Sequence, residues 1–213
     1  MHQIDKIMDI TLDINIKEIL KESLNKSISY AQYRNDVADY VANNSTSGKE
    51  KTEALIEYTK LNDKRMKRWD KTINVSDAIV KRLSNLKENV TWLVLTESWC
   101  GDAAHVIPVI HKIAELSNNI NLKLVYRDEN EALMNEFLTN GGKSIPKLIM
   151  IDNKSGDVID SFGPRPSTET QLVTDYKETH GTLTPEFKEE LQHWYNADKG
   201  QTTINDLIKL LKL

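Results

Sequence analysis

The feature that most constrains the fold is a change of hydrophobic period at residue 90. Upstream, apolar residues recur every three or four positions, which is typical of amphipathic helices. At residue 90 the β-rich run VTWLVL begins, and strand-like and helical segments then alternate. The predicted order is a strand at 90–95, a helix at 106–116, a strand at 122–126, a helix at 131–138, a hairpin of strands at 147–151 and 158–162, and a helix from Ser167. This order predicts an α/β fold with a mixed central sheet and helices on both faces.

Helices are predicted on both sides of this α/β segment. Three precede it, and Thr184-Pro185-Glu186 starts another that is followed by a last amphipathic helix. The predicted inward residues are Tyr30, Tyr33 and Val37 in the first helix, Leu55, Tyr58, Met66 and Trp69 in the second, Ile79, Val80, Leu83 and Leu86 in the third, and Phe187, Leu191, Trp194, Tyr195, Ile204, Leu207, Ile208 and Leu211 downstream. We expect an α/β domain at 74–180, an N-terminal helical extension at 1–73, and a C-terminal helical extension at 181–213 packed on the same domain.

Composition excludes several classes of protein. The chain has 28 basic and 32 acidic residues, a net charge of -4, whereas a generic nucleic-acid binder needs a basic surplus. No apolar run approaches bilayer length, which predicts no membrane partner. The N-terminal stretch carries acidic residues throughout and lacks the apolar core of a signal peptide, so we expect a cytoplasmic protein. The single cysteine excludes an internal disulfide and therefore a disulfide-stapled secreted scaffold.

Cys100 is the candidate nucleophile. It stands where a predicted strand ends and a helix begins, so its thiol would face free backbone N–H groups and the positive end of the helix dipole. Both favour the reactive thiolate. Gly101 allows close approach of a backbone, and Trp99 would form an apolar wall for a bound peptide. A buried structural cysteine is the alternative interpretation of the same residue.

Ser144-Ile145-Pro146-Lys147 is the second informative segment. Proline at the start of a strand gives up no interior hydrogen bond of the sheet, and an X-Pro bond at such a place can be cis. A cis bond would turn the backbone of Ile145 outward, where it could pair with an extended peptide. A trans proline that marks the strand edge is the alternative.

These segments resemble thioredoxins. WLVLTESWCGDAAHVIPVI is similar to the thioredoxin active-site strand and helix, whose motif is W-C-G-P-C, and Pro108 falls where thioredoxins carry a helix-kinking proline. Ile145-Pro146 is similar to the family's cis-proline loop, and Phe162-Gly163 to the glycine after the last strand. The resemblance covers residues 74–179, about half of the chain. The W-C-G-D-A variant with helical extensions looks like a bacterial branch of thioredoxin-like proteins.

The resemblance implies a thioredoxin-like fold and a site around Cys100. Its substrate-binding residues would be Trp99, Gly101, Asp102, Ile145 and Pro146. The implied partners are protein disulfides or small-thiol disulfides. No cofactor is implied beyond a low-molecular-weight thiol as co-substrate, and the oligomeric state stays open.

The departures from the thioredoxin motif constrain function. Ala103 stands where thioredoxins carry the second cysteine, so a mixed disulfide on Cys100 has no internal resolving thiol. Asp102 replaces the motif proline, and a carboxylate there opposes thiolate formation. Val94 occupies the position of the family's buried acid.

Three hypotheses remain open. The first is monothiol thiol–disulfide exchange resolved by an external thiol, and a glutathione-type site is compatible with it although only Gly156-Asp157 matches that pattern. The second is an inactive thioredoxin-fold module that binds a peptide or protein. The third is a cysteine enzyme of another class, for which the sequence offers no clear general base. The spacing of Cys100, His105 and His111 does not predict a metal site.

Overall fold

A computed structural model describes residues 16–213 of the protein. Its elements are helix α1 over 16–25, α2 (Tyr30–Ala42), α3 (Glu53–Thr72), α4 (Asp77–Leu83), β1 (Val90–Thr96), α5 (Gly101–Glu115), β2 (Ile120–Tyr126), a 3₁₀ turn (Arg127–Glu129), α6 (Glu131–Glu136), β3 (Lys147–Asp152), β4 (Val158–Phe162), α7 (Ser167–His180), α8 (Pro185–Asp198) and α9 (Gln201–Leu210). The predicted order of strands and helices is confirmed.

The four strands form one mixed sheet in the order β2-β1-β3-β4. β1 pairs in parallel with β2 and antiparallel with β3, and β3 pairs antiparallel with β4. All seven residues of β1 are buried, because helices cover both faces of this central strand. The predicted mixed sheet flanked by helices is confirmed.

The register between β1 and β3 positions the candidate site. Leu95 near the end of β1 pairs with Lys147 at the start of β3. The chain that leaves β1 toward Cys100 and the chain that enters β3 from Pro146 therefore meet at the same edge of the sheet. Strand pairing thus brings together two segments that are far apart in sequence.

Helix α5 is the centre of the helical packing. It contacts α3 and α9 as well as β2, and its residues from Ala103 to Ile110 are all buried. A helix that is apolar on every side is stable only when other elements enclose it. The flanking helices therefore complete the core around the helix that carries the candidate nucleophile.

Two residues predicted to point inward are exposed. The exposed fraction is 52% for Tyr58 in α3 and 37% for Val80 in α4. In α3 the inward positions include the polar residues Thr59 and Asn62, which bond to Ser98 beside the site. A helix can turn a polar face inward when hydrogen bonds satisfy it, and α3 does so here.

The prediction of a cytoplasmic protein rests on the N-terminal stretch, of which residues 1–15 lie outside the described part of the chain. Between residues 16 and 213, no helix combines the length and the apolar character that crossing a bilayer requires.

Candidate functional site

Cys100 is the N-cap residue of α5, directly before Gly101. Its Sγ donates a hydrogen bond to the carbonyl oxygen of Ile145 at 3.2 Å. The Ile145–Pro146 peptide bond is cis. The structure thus brings together three of the predicted site residues, and the carbonyl that precedes Pro146 faces the thiol.

The thiol of Cys100 is held in its protonated form. Cys100 is only 8% exposed. Burial, followed by the negative charge of Asp102, raises the pKa of the thiol to about 12. The backbone N–H groups of Ala103 and Asp102 and the cation of Arg165 act in the opposite direction. The expected effect of the helix N-terminus is present, but burial outweighs it, so the expectation of a thiolate-favouring site is wrong for the resting protein.

Asp102 belongs to a buried cluster of charged and phenolic groups. Its Oδ2 forms an ion pair with Nη2 of Arg165 at 2.7 Å, and its Oδ1 accepts a hydrogen bond from the Tyr195 hydroxyl at 3.4 Å. Burial raises the pKa of Asp102, opposed by the charge of Arg165. Arg165 comes from the loop after β4 and Tyr195 from α8. A helical extension therefore contributes a side chain to the site.

Glu169 completes this cluster from the first turn of α7. Its side chain is fully buried, and its Oε1 lies 3.6 Å from Nε of Arg165. Burial, followed by the charge of Asp102, raises the pKa of Glu169 to about 8. Strongly perturbed titratable groups that surround one nucleophile are characteristic of functional sites.

Trp99 and Gly101 flank Cys100 in the chain and are more exposed than it is. The guanidinium of Arg127 stacks over the Trp99 ring at 5.0 Å, and Trp99 is half-buried. A Cβ added at Gly101 would lie 3.7 Å from Nη1 of Arg65, so α3 reaches the first turn of α5. These contacts place basic groups beside the two residues that flank Cys100.

Gly163 packs closely against the backbone of the loop that contains Pro146. Its φ of +105° lies in a region that L side chains rarely adopt, and a Cβ there would overlap the carbonyl oxygen of Pro146. The end of β4 and the loop before β3 can approach this closely only with glycine.

The turn between β1 and Cys100 is held by hydrogen bonds, among them bonds to Ser47 of the N-terminal helical extension. Glu97 is buried, accepts a hydrogen bond from the Ser47 hydroxyl, and accepts one from the Asp128 N–H at 2.9 Å. The Ser98 N–H donates to Oγ of Ser47 at 2.7 Å. Burial raises the pKa of Glu97. Because these bonds tie Glu97 to Ser47 and Asp128, its carboxyl serves to hold the turn.

His105 is buried on the opposite side of α5 from the sheet and joins three helices. Its Nδ1 accepts a hydrogen bond from the Trp69 indole at 2.9 Å, its Nε2 pairs with Oε1 of Gln192 at 2.8 Å, and its ring stacks on Tyr195 at 4.2 Å. Burial lowers the pKa of His105 to about 3. Within the described residues, no group of three or more His, Cys, Asp or Glu side chains is arranged to hold a metal ion.

Comparison with known proteins places this geometry in a family. A family model described as thioredoxin matches residues 48–177, more than half of the chain. The chain belongs to the thioredoxin family. The match contains Cys100 and the Ile145–Pro146 loop. The match begins inside the N-terminal helical extension, and it also covers Arg165 and Glu169.

Two solved structures share this thioredoxin architecture. The crystal structure of a protein of unknown function, PA1234 from Pseudomonas aeruginosa, has a TM-score of 0.56 at 16% identity, over 71% of this chain and 84% of that one. The crystal structure of an HIV epitope-scaffold has a TM-score of 0.56 at 17% identity, over 87% of this chain and 98% of that one. No curated protein matches the sequence significantly. At such identities the likeness shows the fold alone.

Sequence reasoning did not identify Arg165, Glu169 or Tyr195 as site residues. Glu169 is visible in the sequence only as an acid near the start of a helix, and Tyr195 only as part of an apolar face. No motif connects them to Cys100. Their meeting depends on the packing of α7 and α8 beside α5.

Proposed function

We propose that this thioredoxin relative performs monothiol thiol–disulfide exchange at Cys100. The observation that carries the proposal is the thiol at the N-terminus of α5, 3.2 Å from the Ile145 carbonyl oxygen at the sheet edge. An extended substrate could pair its backbone with the segment before Pro146 and present its disulfide to the sulfur. Trp99, Gly101 and Asp102 would line the same groove.

The proposed reaction balances without a second cysteine. The Cys100 sulfur attacks one sulfur of the substrate disulfide as the thiol loses its proton. A new S–S bond forms, the substrate S–S bond breaks, and the departing thiolate takes up the proton. A low-molecular-weight thiol then attacks the substrate sulfur of the mixed disulfide and releases Cys100 as a thiol. One disulfide has been exchanged for another, which suits a reducing compartment such as the cytoplasm.

Intact-mass spectrometry tests this function directly. Reduced protein is incubated with oxidised glutathione or with a short peptide disulfide, and adducts are counted. We expect one adduct per chain on the wild type, its removal by added reduced thiol, and none on Cys100→Ser. An adduct that forms only after the protein is unfolded would contradict the proposal.

The burial of Cys100 favours a second candidate, a peptide-binding module without redox activity. A thiol that is 8% exposed, with a pKa raised to about 12, is a weak nucleophile at rest. A peptide lacking any disulfide that binds wild type and Cys100→Ser equally under reducing conditions would favour this candidate. Binding that requires both the Cys100 sulfur and a substrate disulfide favours exchange.

A further inference from the structure

Glu169 is buried with few of the contacts that a buried carboxylate needs. Neither of its carboxyl oxygens has a hydrogen-bond partner, and the same holds for the buried Nε of Arg165. The Tyr195 hydroxyl, which donates a hydrogen bond to Asp102 at 3.4 Å, also lies close enough to Glu169 to interact with it. A carboxylate removed from water with so few polar contacts is strongly disfavoured, so such a group retains its proton.

The cluster contains two carboxyl groups but only one directly paired guanidinium. Asp102 holds that guanidinium at 2.7 Å and accepts the phenol hydrogen bond, whereas Glu169 lies 3.6 Å from Arg165. Geometry therefore places the negative charge on Asp102 and the proton on Glu169. Like charges in so confined a space do not both ionise readily.

We propose that Asp102 and Glu169 share one proton beside Cys100, and that Glu169 is the positioning residue that sets the net charge facing the thiol. The inference deepens the proposed exchange and rests on it for its role in a reaction. The sharing of the proton can be measured without any disulfide substrate.

Proton sharing gives the cluster a definite part in the exchange. With Glu169 neutral, Asp102 and Arg165 cancel each other. When Cys100 attacks, its thiol proton passes to the Asp102 carboxylate, and Arg165 is left as a cation that stabilises the sulfur. Asp102 then gives the proton to the departing thiolate. If Glu169 were ionised, the cluster would carry an extra negative charge and oppose the loss of the thiol proton.

Charged and titratable groups of the surrounding helices lie near this cluster. Arg65 of α3 acts on Asp102, and Asp206 of α9 accepts hydrogen bonds from the N–H and hydroxyl of Ser167 at the start of α7. Burial lowers the pKa of His105 in α5 to about 3 and raises that of Tyr195 in α8 well above 10, so neither changes charge near pH 8.

Two measurements test the inference. The first is the rate of Cys100 alkylation by iodoacetamide from pH 6 to pH 10. In the wild type we expect the logarithm of the rate to rise with pH, to flatten near pH 8 where Glu169 ionises, and then to rise again. Glu169→Gln keeps the shape of the neutral acid. For this variant the logarithm of the alkylation rate should rise with pH without the flattening. Glu178→Gln is the matched control, because Glu178 is exposed on the same helix and should behave like wild type.

The second measurement is a ¹³C NMR titration of labelled glutamate carboxyls. We expect one glutamate that titrates near pH 8 in the wild type and is missing from Glu169→Gln. Titration of every glutamate near the ordinary value of about 4.3 would overturn the inference, even if Glu169→Gln failed to fold. An identical alkylation profile for wild type and folded Glu169→Gln would also overturn it.

Failure of this inference is distinguishable from failure of the proposed function. A glutamate titrating near pH 8 together with the expected alkylation profile, in a protein that forms no mixed disulfide, supports the shared proton and rejects the exchange. Mixed-disulfide formation without such a glutamate supports the exchange and overturns the shared proton.

Discussion

The carbonyl oxygen of Ile145 accepts the S–H of Cys100 at 3.2 Å, so the loop before β3 and the N-terminus of α5 meet at the Cys100 sulfur. A substrate backbone N–H that pairs with this carbonyl would compete with the thiol for it. In the proposed exchange, substrate binding is therefore coupled to release of the thiol. Burial and the charge of Asp102 keep the thiol protonated at rest, and the competing substrate N–H would free its S–H for reaction.

Cys100 of the folded protein should react slowly with small alkylating agents. Raising the pKa from 9.0 to about 12 lowers the thiolate fraction at pH 7 about 1000-fold. Iodoacetamide rates in native buffer and in guanidinium chloride provide the comparison, because the single cysteine is the only thiol in either state. Equal rates in both states would show that the thiol is open to solvent and unshifted.

His105→Gln should destabilise the protein without altering the reactivity of the thiol. We expect a loss of about 2–4 kcal/mol at pH 7, since the stacking on Tyr195 and the hydrogen-bond geometry of the imidazole are lost. A histidine whose folded pKa is lowered to about 3 contributes stability above its unfolded pKa of about 6.5 and loses it as pH falls toward 3. The difference in free energy of unfolding between variant and wild type should therefore become smaller as the pH falls from 7 to 4.

Chemical denaturation at several pH values measures this difference. His193→Gln is the control, because His193 is 76% exposed on α8 and its replacement should be nearly neutral. A His105→Gln variant that folds fully but whose Cys100 alkylation rate changes tenfold would contradict this expectation and show that His105 influences the thiol through Tyr195 and Asp102.

Gly163→Ala should be far more damaging than the same change at Gly156. Both glycines have positive φ, which costs an alanine about 1–2 kcal/mol. At Gly156 nothing lies within 4 Å of an added Cβ, whereas at Gly163 the Cβ would overlap the Pro146 carbonyl and force the loop to move. We expect a further loss of about 1–3 kcal/mol at Gly163. Thermal unfolding of both variants tests this expectation. Equal losses of stability would show that the close approach of Gly163 to the Pro146 carbonyl does not require glycine.

The part of the site that sequence could predict is the part that secondary structure positions. The β-rich run before Cys100 and the proline before β3 are local signals, and strand pairing converts them into a contact between Cys100 and Ile145. Asp102 and Tyr195 are 93 positions apart, and their contact depends on how α8 packs. Packing between helices leaves no local signal of this kind.

The errors have related physical causes. Hydrophobic period indicates that α3 is amphipathic, but it places Tyr58 inward because it ignores buried polar residues. Thr59 and Asn62 face the core through hydrogen bonds to Ser98, and the helix is rotated accordingly. For Cys100, the position at a helix N-terminus is visible in the sequence, whereas the burial that outweighs it appears only in the folded structure.

Ala103→Cys would restore a second cysteine and should change the fate of the mixed disulfide. Ala103 is fully buried in the first turn of α5, three positions after Cys100, and residues at this spacing are neighbours on a helix surface. In the wild type an adduct on Cys100 should persist until external thiol is added. In the variant, the introduced thiol should expel the small thiol and leave an internal disulfide, about 2 Da lighter than the reduced chain. Ala114→Cys is the control, because that position lies about 20 Å from Cys100 along the axis of α5 and cannot reach the adduct. An adduct equally long-lived in wild type and Ala103→Cys would contradict the expectation that a second thiol at this position resolves the mixed disulfide.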